Sequence, residues 1–260
     1  SMVERMAGEI QILRPDWTIN GVNAGFTLRT GGVSQPPYDS LNLALHVGDD
    51  PDAVRENRRR LVEHAKLPEE PRWLKQVHGN QVVHASEVER DVTQADAVWT
   101  DQPGQVCAVM VADCVPILLA ANDGSCVAAI HAGWRGLAAG VIEATIDALP
   151  VAPNALSAVI GPCIGKNAYE VGPEVIKQLD AAMPVAAQFT AVHDGRTLGA
   201  SGTGRYWLDM AASADAVLRY VGVPAPVMLR DCTHAATDRY YSYRRDGRAG
   251  RIAGVIGQGR

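Results

Sequence analysis

No stretch of this sequence approaches the ~20 consecutive apolar residues that a membrane-spanning helix requires. Its longest apolar run, Val106 to Ala121, is interrupted by Asp113. The N-terminal SMVERMAGEI lacks a basic start followed by an apolar core, so no signal peptide is expected, and Ser1 before Met2 reads as a residue left by tag removal. Cysteine is sparse: Cys107, Cys114, Cys126, Cys163 and Cys232 are five in number, widely spread and without a CxxC pair. That argues against a disulfide framework and for free thiols in a reducing compartment, hence the cytoplasm. GxGxxG and GxxxxGKS/T are both missing, so neither glycine loop supports nucleotide binding. Positive charge is in the minority, 24 Lys+Arg against 29 Asp+Glu, for a net charge of -5. A general nucleic-acid binder is therefore disfavoured, while a local basic pocket for a small anion is still allowed. Nothing calls for a membrane or an obligate protein partner.

What is present is an ordinary globular composition, 47% hydrophobic and 20% charged over 260 residues. The length suits one large domain or two small ones. No repeat, low-complexity segment or linker divides it. Two polar loops, Thr30 to Ser40 and Ala191 to Gly204, separate no obvious cores, so a single domain over 1–260 is expected. Short apolar, β-branched runs predict strands at Val106–Val111, Ile117–Ala121, Cys126–His131, Ala158–Ile160, Val227–Leu229 and Ile252–Ile256. Asp50 as N-cap and Pro51 in the first turn predict a helix over Asp52–Ala65. Further helices are expected over Leu137–Leu149, Pro173–Met183 and Asp209–Val221. These elements follow no regular βαβ rhythm, which points to α+β layers.

Three segments place polar residues at strand ends beside turns: Lys75–Gly79 (KQVHG), Ala112–Pro116 (ADCVP) and His131–Gly136 (HAGWRG). They supply His78, Cys114 and His131, two imidazoles and a thiol. Such a set suits zinc, whose catalytic sites use three protein ligands and keep one position open for a water or a substrate oxygen. The spacings of 36 and 17 residues form no local metal signature. A buried thiol with two hydrogen-bonded histidines is the purely structural alternative. Cys114 as a nucleophile with His131 as its base is a third reading. Asp113 would orient a histidine, act as acid or base, or simply cap a backbone N–H in its turn. Multicopper sites of the laccase kind need paired His-x-His ligands, and the seven histidines here include none. One copper on His–Cys–His is chemically allowed, since soft ligands accept copper as well as zinc. The zinc deaminase signature, His-x-Glu with Pro-Cys-x-x-Cys, is also absent.

Anion sites are expected at exposed-backbone turns. Arg29 stands beside Gly31 and Gly32, Cys163 lies in the GPCIG turn, and Arg135 stands near the start of a helix. Arg58, Arg59 and Arg60 read as a solvated helix face from which one could point inward. The segment Arg239–Arg251 interleaves five arginines with Tyr240, Tyr241 and Tyr243; such a set can stack an aromatic base, but a solvated hairpin with edge charges is the preferred reading.

Taken together, FTLRTGGVS, SLNLALHVGDD, ENRRRL, KQVHGNQVV, ADAVWTD, ADCVPILL, AAIHAGWRG, IGPCIGKNAYEVG, LDM and DCTH followed by YYSYRRDG resemble the YfiH-like family, formerly called laccase-domain or multicopper polyphenol oxidoreductase proteins. The resemblance covers nearly the whole chain. It implies a four-layer α/β/β/α sandwich related to cysteine hydrolases, and a zinc site at His78, Cys114 and His131. It also implies phosphorolysis of adenosine, inosine and methylthioadenosine, with adenosine deamination as a further activity; some bacterial relatives are linked to the fidelity of peptidoglycan precursor synthesis. Asp113, Cys114 and His131 are then the catalytic candidates. Arg29, Asn42, His46 and Arg58 are candidates for anion and ribose contacts, with Gln76, Arg135 and Cys163 as further substrate-side positions. The competing classes are a cysteine hydrolase, a copper-dependent polyphenol oxidase and a metal-dependent binding module without turnover.

Overall fold

The computed structural model describes residues 8–183 and 206–259. The first half contains β1 (Ile12–Leu13), β2 (Val22–Thr27), α1 (Pro51–Ala65), β3 (Val82–His84), β4 (Ala97–Thr100), β5 (Val106–Val111), β6 (Val115–Ala121) and β7 (Val127–Ala132). The second contains α2 (Trp134–Ala138), α3 (Val141–Ala148), β8 (Leu156–Ile160), β9 (Glu170–Val171), α4 (Pro173–Ala182), β10 (Tyr206–Trp207), α5 (Met210–Tyr220), β11 (Val227–Met228), α6 (Tyr243–Asp246) and β12 (Ile252–Gln258). Among the described residues, no helix is long and apolar enough to cross a membrane.

A four-stranded sheet runs β1-β2-β12-β5, and a six-stranded sheet runs β11-β8-β6-β7-β4-β3. Among the described strands, every pairing in these two sheets is antiparallel except at the two edges of the larger sheet, where β11 pairs with β8 and β3 with β4 in parallel. Side-chain alternation assigns each strand's two faces. From β5, Cys107 and Val109 join Phe26 and Ile256 of the smaller sheet in a core shared with Val98, Leu118, Ala129 and Val159 of the larger one. The other face of β5 sends Val106, Ala108 and Met110 into a second core with Leu61 of α1 and the fully buried Trp73. On the larger sheet, Ile117, Leu119 and Ile130 face the opposite way, onto Ile142 of α3, Leu179 of α4 and Val217 of α5. The two sheets thus pack on each other, with helices on their outer faces.

Strand and helix positions follow the sequence reading where apolar runs are continuous. Asp50 caps α1 by accepting the Asp52 N–H, with Pro51 in the first turn. One helix is corrected: the span Leu137–Leu149 is two helices, α2 and α3. Gly140 separates them at φ +85°, a left-handed value that cannot continue a helix. Strands β1–β4, β9 and β10 were not anticipated; most are two to four residues long, and β2 carries Asn23 and Gly25 within its run. The loop expected at Ala191–Gly204 lies outside the described residues.

The solvated hairpin expected at Arg239–Arg251 is also corrected. Tyr240 and Tyr241 are fully buried, and the Tyr241 hydroxyl donates to the Tyr38 carbonyl at 2.6 Å. Arg245 donates to the carbonyls of Thr233, His234 and Tyr240, closing the segment against the body of the protein.

Phe26 has no exposed surface and wedges between the sheets; a Cβ at Gly161 would overlap its ring. Overpacking a well-filled core costs about 1–3 kcal/mol. Gly161→Ala is therefore expected to lower the urea midpoint by that free energy divided by m, with m unchanged. A midpoint equal to wild type would show that the sheets can separate freely there.

Candidate metal centre and its cavity

Three loops converge at the ends of β4, β6 and β7. His131 lies on β7, opposite Pro116 of β6, and this register sets the Cys114 turn beside the chain leaving β7. His78 comes from the loop before β3. The nitrogen and sulfur ligand atoms of His78, Cys114 and His131 all lie within 4.8 Å of one another. The two imidazole rings meet edge to face, with centroids 4.9 Å apart.

Asp96, just before β4, organises this cluster. Its carboxylate is fully buried. It accepts the backbone N–H groups of Val77, His78 and Gly79 at 3.2, 2.9 and 3.0 Å, and Nδ1 of His131 at 2.8 Å. His78 has φ +61°, a conformation a residue with a Cβ avoids, and these three N–H bonds hold it there. The His131–Asp96 bond fixes the ring orientation and leaves Nε2 free to ligate, the carboxylate–histidine arrangement common behind metal ligands.

Cys114 sits in a second strained turn. Asp113 has φ +107°. Its two carboxylate oxygens accept the Thr233 hydroxyl at 2.8 Å and the Arg244 backbone N–H at 2.7 Å. Gly133 lies directly against the cluster: a Cβ there would stand 3.0 Å from Cys114 Sγ and 3.3 Å from His78 Nδ1. The backbone has left room for something small between the donors.

Electrostatics follow from this packing. Burial opposes a thiolate at Cys114, but His131 and His78 outweigh it and bring the thiol down to about 6. Burial likewise opposes a charged His131, but Cys114 and Asp96 outweigh it and raise the imidazole. A thiolate flanked by imidazoles is the donor chemistry of zinc or copper, so the residues fit a metal ion. Among the described residues it is the one such cluster of three or more His, Cys, Asp or Glu side chains.

The cluster opens into a cavity of about 420 Å³, within the usual range for small-molecule sites. Of the residues singled out by sequence, His46, Gln76, His78, Asp113, Cys114, His131 and Arg135 line it. Gln76 does so as a brace: its amide donates to the Met110 carbonyl and accepts the Met110 N–H, both at 2.8 Å.

Four others do not line it. Arg29 donates to the carbonyls of Asp39 and Thr237 and lies 4.5 Å over the Tyr241 ring. Asn42 is buried, donates to the Ala44 carbonyl and accepts the Arg251 N–H at 2.9 Å. Arg58 is buried in a two-pronged bond to Asp91, at 2.7 and 2.9 Å, and donates to the Leu43 carbonyl. Cys163 is packed in the core, where burial pushes its thiol well up. Asn42 and Arg58 thus hold the loop that presents His46.

Sequence reasoning left Asp96 unassigned, although it stands in ADAVWTD. It also missed Trp134, Tyr169, Tyr243, Arg244 and Arg251, which line the cavity. Arg135 lies 4.5 Å over Trp134, and Arg244 lies 5.0 Å over Tyr169.

Fold and site together define a mixed α/β protein with a His–Cys–His cluster suited to hold a metal ion, open to a cavity of small-molecule size. The chain belongs to the family described as multi-copper polyphenol oxidoreductase laccase, whose model matches residues 23–258. It is 46% identical over 245 residues to a Pseudomonas aeruginosa protein named purine nucleoside phosphorylase, covering 94% of this chain and 97% of that one. Escherichia coli K12 purine nucleoside phosphorylase YfiH is 42% identical over 247 residues, 95% of this chain and 98% of that protein. A crystal structure of a Neisseria meningitidis protein superposes with a TM-score of 0.86 at 39% identity, covering 97% of this chain and 100% of that one. YlmD from Geobacillus stearothermophilus also gives 0.86, at 31% identity and the same coverage.

Asp96→Asn keeps the size of the side chain and removes its charge. It is expected to weaken metal binding about 10–100-fold, the usual effect of losing such a partner, read by competition with a chromophoric chelator. Burial raises the Asp96 carboxyl, but the His131 bond and the backbone N–H groups outweigh it and hold it below its ordinary value. Its contribution to stability is therefore present above about pH 4 and lost as pH falls through the lower folded value. Acid titration of Asp96→Asn should be correspondingly flatter than that of wild type; parallel curves would remove Asp96 from this role.

Proposed function

We propose that this chain is a purine nucleoside phosphorylase with one zinc ion on His78, Cys114 and His131. The observation that carries the reading is the Asp96-anchored cluster, open to a cavity that offers both guanidinium groups and aromatic faces. Relatives named for this activity, similar over nearly their full lengths, point the same way. The substrates we propose are adenosine, inosine and methylthioadenosine, together with phosphate, and adenosine deamination is a side reaction. We read the stacked sheets and helices as a four-layer α/β/β/α sandwich related to cysteine hydrolases, forming one domain that works in the cytoplasm. Its partners in this reading are small molecules only.

Phosphorolysis forms a bond from a phosphate oxygen to C1′ of the ribose as the C1′–N9 bond breaks. The bonding pair leaves with the base, and the proton lost by hydrogenphosphate is the one the base gains, giving ribose 1-phosphate and free purine. The chain's part is to hold the two reactants in line and exclude water. The rings of Trp134 and Tyr169 supply flat faces for the purine. Asp96 fixes His131, and Asp113 fixes the Cys114 turn. Zinc, when bound, supplies a Lewis acid that polarises a substrate oxygen. Zinc is favoured over a multicopper centre because seven histidines without a His-x-His pair, and three clustered donors, provide ligands for one ion.

A second reading, a cysteine hydrolase, has one observation behind it: the lowered Cys114 thiol beside His131. Its activity would survive chelation and be abolished by alkylating Cys114.

Purified protein incubated with adenosine is expected to release adenine only when phosphate is present. Inosine in both tubes would make the protein mainly a deaminase; unchanged adenosine in both would overturn the nucleoside reading. Cys114→Ala should lose the single zinc and drop turnover by roughly 100-fold or more, the scale of losing a major electrostatic stabiliser.

A further inference from the structure

Three guanidinium groups line the cavity, yet among its described lining residues Asp113 is the only carboxylate. Both Asp113 oxygens are already engaged, by Thr233 and by the Arg244 backbone. The exposed Arg135 and Arg244 rest on the rings of Trp134 and Tyr169. Arg251 is different. It enters the cavity from the turn before β12 and is half-buried where the other two are exposed; like them, it forms no ion pair with any described residue. Its Nη1 donates to the carbonyls of Ala249 and Gly250 at 2.8 and 3.0 Å. Its Nε and Nη2 have no acceptor among the described residues. Burial presses on the charge and lowers its affinity for the proton. The backbone that carries it is held in place, because Asn42 accepts the Arg251 backbone N–H and the Arg251 carbonyl accepts the Leu43 N–H. The same segment delivers His46, whose imidazole has no hydrogen-bond partner among the described residues and feels the Arg251 charge.

A half-buried guanidinium without an acid, with the N–H groups of Nε and Nη2 unmet among the described residues, is a fork suited to an oxyanion. We infer that Arg251, flanked by His46, is the seat for a tetrahedral phosphate group in this cavity. The inference rests on the phosphorylase reading for its choice of free phosphate as occupant; a nucleotide monoester carries the same chemistry. In phosphorolysis this seat would hold the attacking oxyanion in the cavity that the aromatic rings also line. Asn42 and Arg58, one layer behind, act as positioning residues for the loop that builds it.

The test is calorimetric titration of the metal-loaded protein with inorganic phosphate and, separately, with adenosine 5′-monophosphate. Wild type is expected to bind phosphate, and Arg251→Gln to bind it roughly 10- to 100-fold more weakly, the worth of hydrogen bonds to a charged group. Arg251→Lys, which keeps the charge but loses the fork, should fall between them. Zinc content and adenosine binding should stay within about twofold of wild type, so that KM for phosphate rises while KM for nucleoside does not. Because Arg251 braces two carbonyls, Arg251→Gln could fail to fold; Arg251→Lys and His46→Ala then carry the test, each expected to weaken phosphate several-fold. Arg251-dependent binding of the monoester alone would support the seat and assign it to a nucleotide. No binding of either anion, or binding indifferent to these changes, overturns it. Arg251-dependent phosphate binding by a wild-type protein that leaves adenosine unconverted would sink the phosphorylase reading and leave the seat standing.

Discussion

The carboxylate of Asp96 has no exposed surface, and a charge is tolerated out of water only where hydrogen bonds replace the water it has lost. Here four donors do so, three from the backbone of residues 77–79 and one from His131. The dependence runs both ways. The loop before β3 needs the carboxylate to stay in its left-handed turn at His78, and the carboxylate needs the loop to remain ionised. One side chain thereby couples two ligands that are 53 positions apart in the chain. Its own place comes from β4, which pairs with β7 and so runs beside His131. The centre is a consequence of sheet register first and of ligand identity second.

The second ligand turn is built on the same logic with different parts. Asp113 adopts a positive φ, and its strain is offset by Thr233 and by the N–H of Arg244, both from the C-terminal quarter of the chain. Strain at His78 and at Asp113 flanks the cluster on both sides. Conformations of this kind persist where surrounding contacts over-determine them, and they gather at functional sites. Gly133 completes the arrangement by leaving out the Cβ that would crowd the sulfur. Donors held apart by fixed loops are already arranged for an ion, so binding one requires little further ordering of the chain.

How much of this was legible in the sequence depends on what each residue needs from its neighbours. Strands β5, β6, β7, β8 and β12 are buried on both faces, so their apolar runs are unbroken and easily read. The cap on α1 is local chemistry and was equally plain. The split at Gly140 was hidden because the flanking apolar spacing suits one helix as well as two. Cys114, His78 and His131 could be picked out by their motifs; Asp96 could not be given its role, because its partners lie up to 35 residues away. The arginines make the same point. Arg29 and Arg58 look like anion contacts by residue type and turn context. In the fold their donors meet carbonyls and Asp91, and a guanidinium with an acid in hand has nothing left for a ligand. Arg251, set among charges that read as a solvated hairpin, lines the cavity with Nε and Nη2 unmet among the described residues.

Local charge in this protein is therefore nearly independent of its overall charge. The chain carries a net -5, yet the wall of its cavity is basic. Several acids are paired away from the cavity: Glu56 with Arg59 and Arg60, Asp91 with Arg58, Glu69 with Arg72. Pairing on the surface removes charge that would otherwise cancel the field inside, and a concave low-dielectric wall concentrates what remains. An anionic reactant arriving at a protein of this sign is repelled at a distance and attracted only at the mouth of the cavity. The proposed phosphate seat therefore suits a small anion better than a long polyanion. A phosphate can enter and meet the fork, whereas a nucleic-acid backbone must lie across a surface that is, on average, negative.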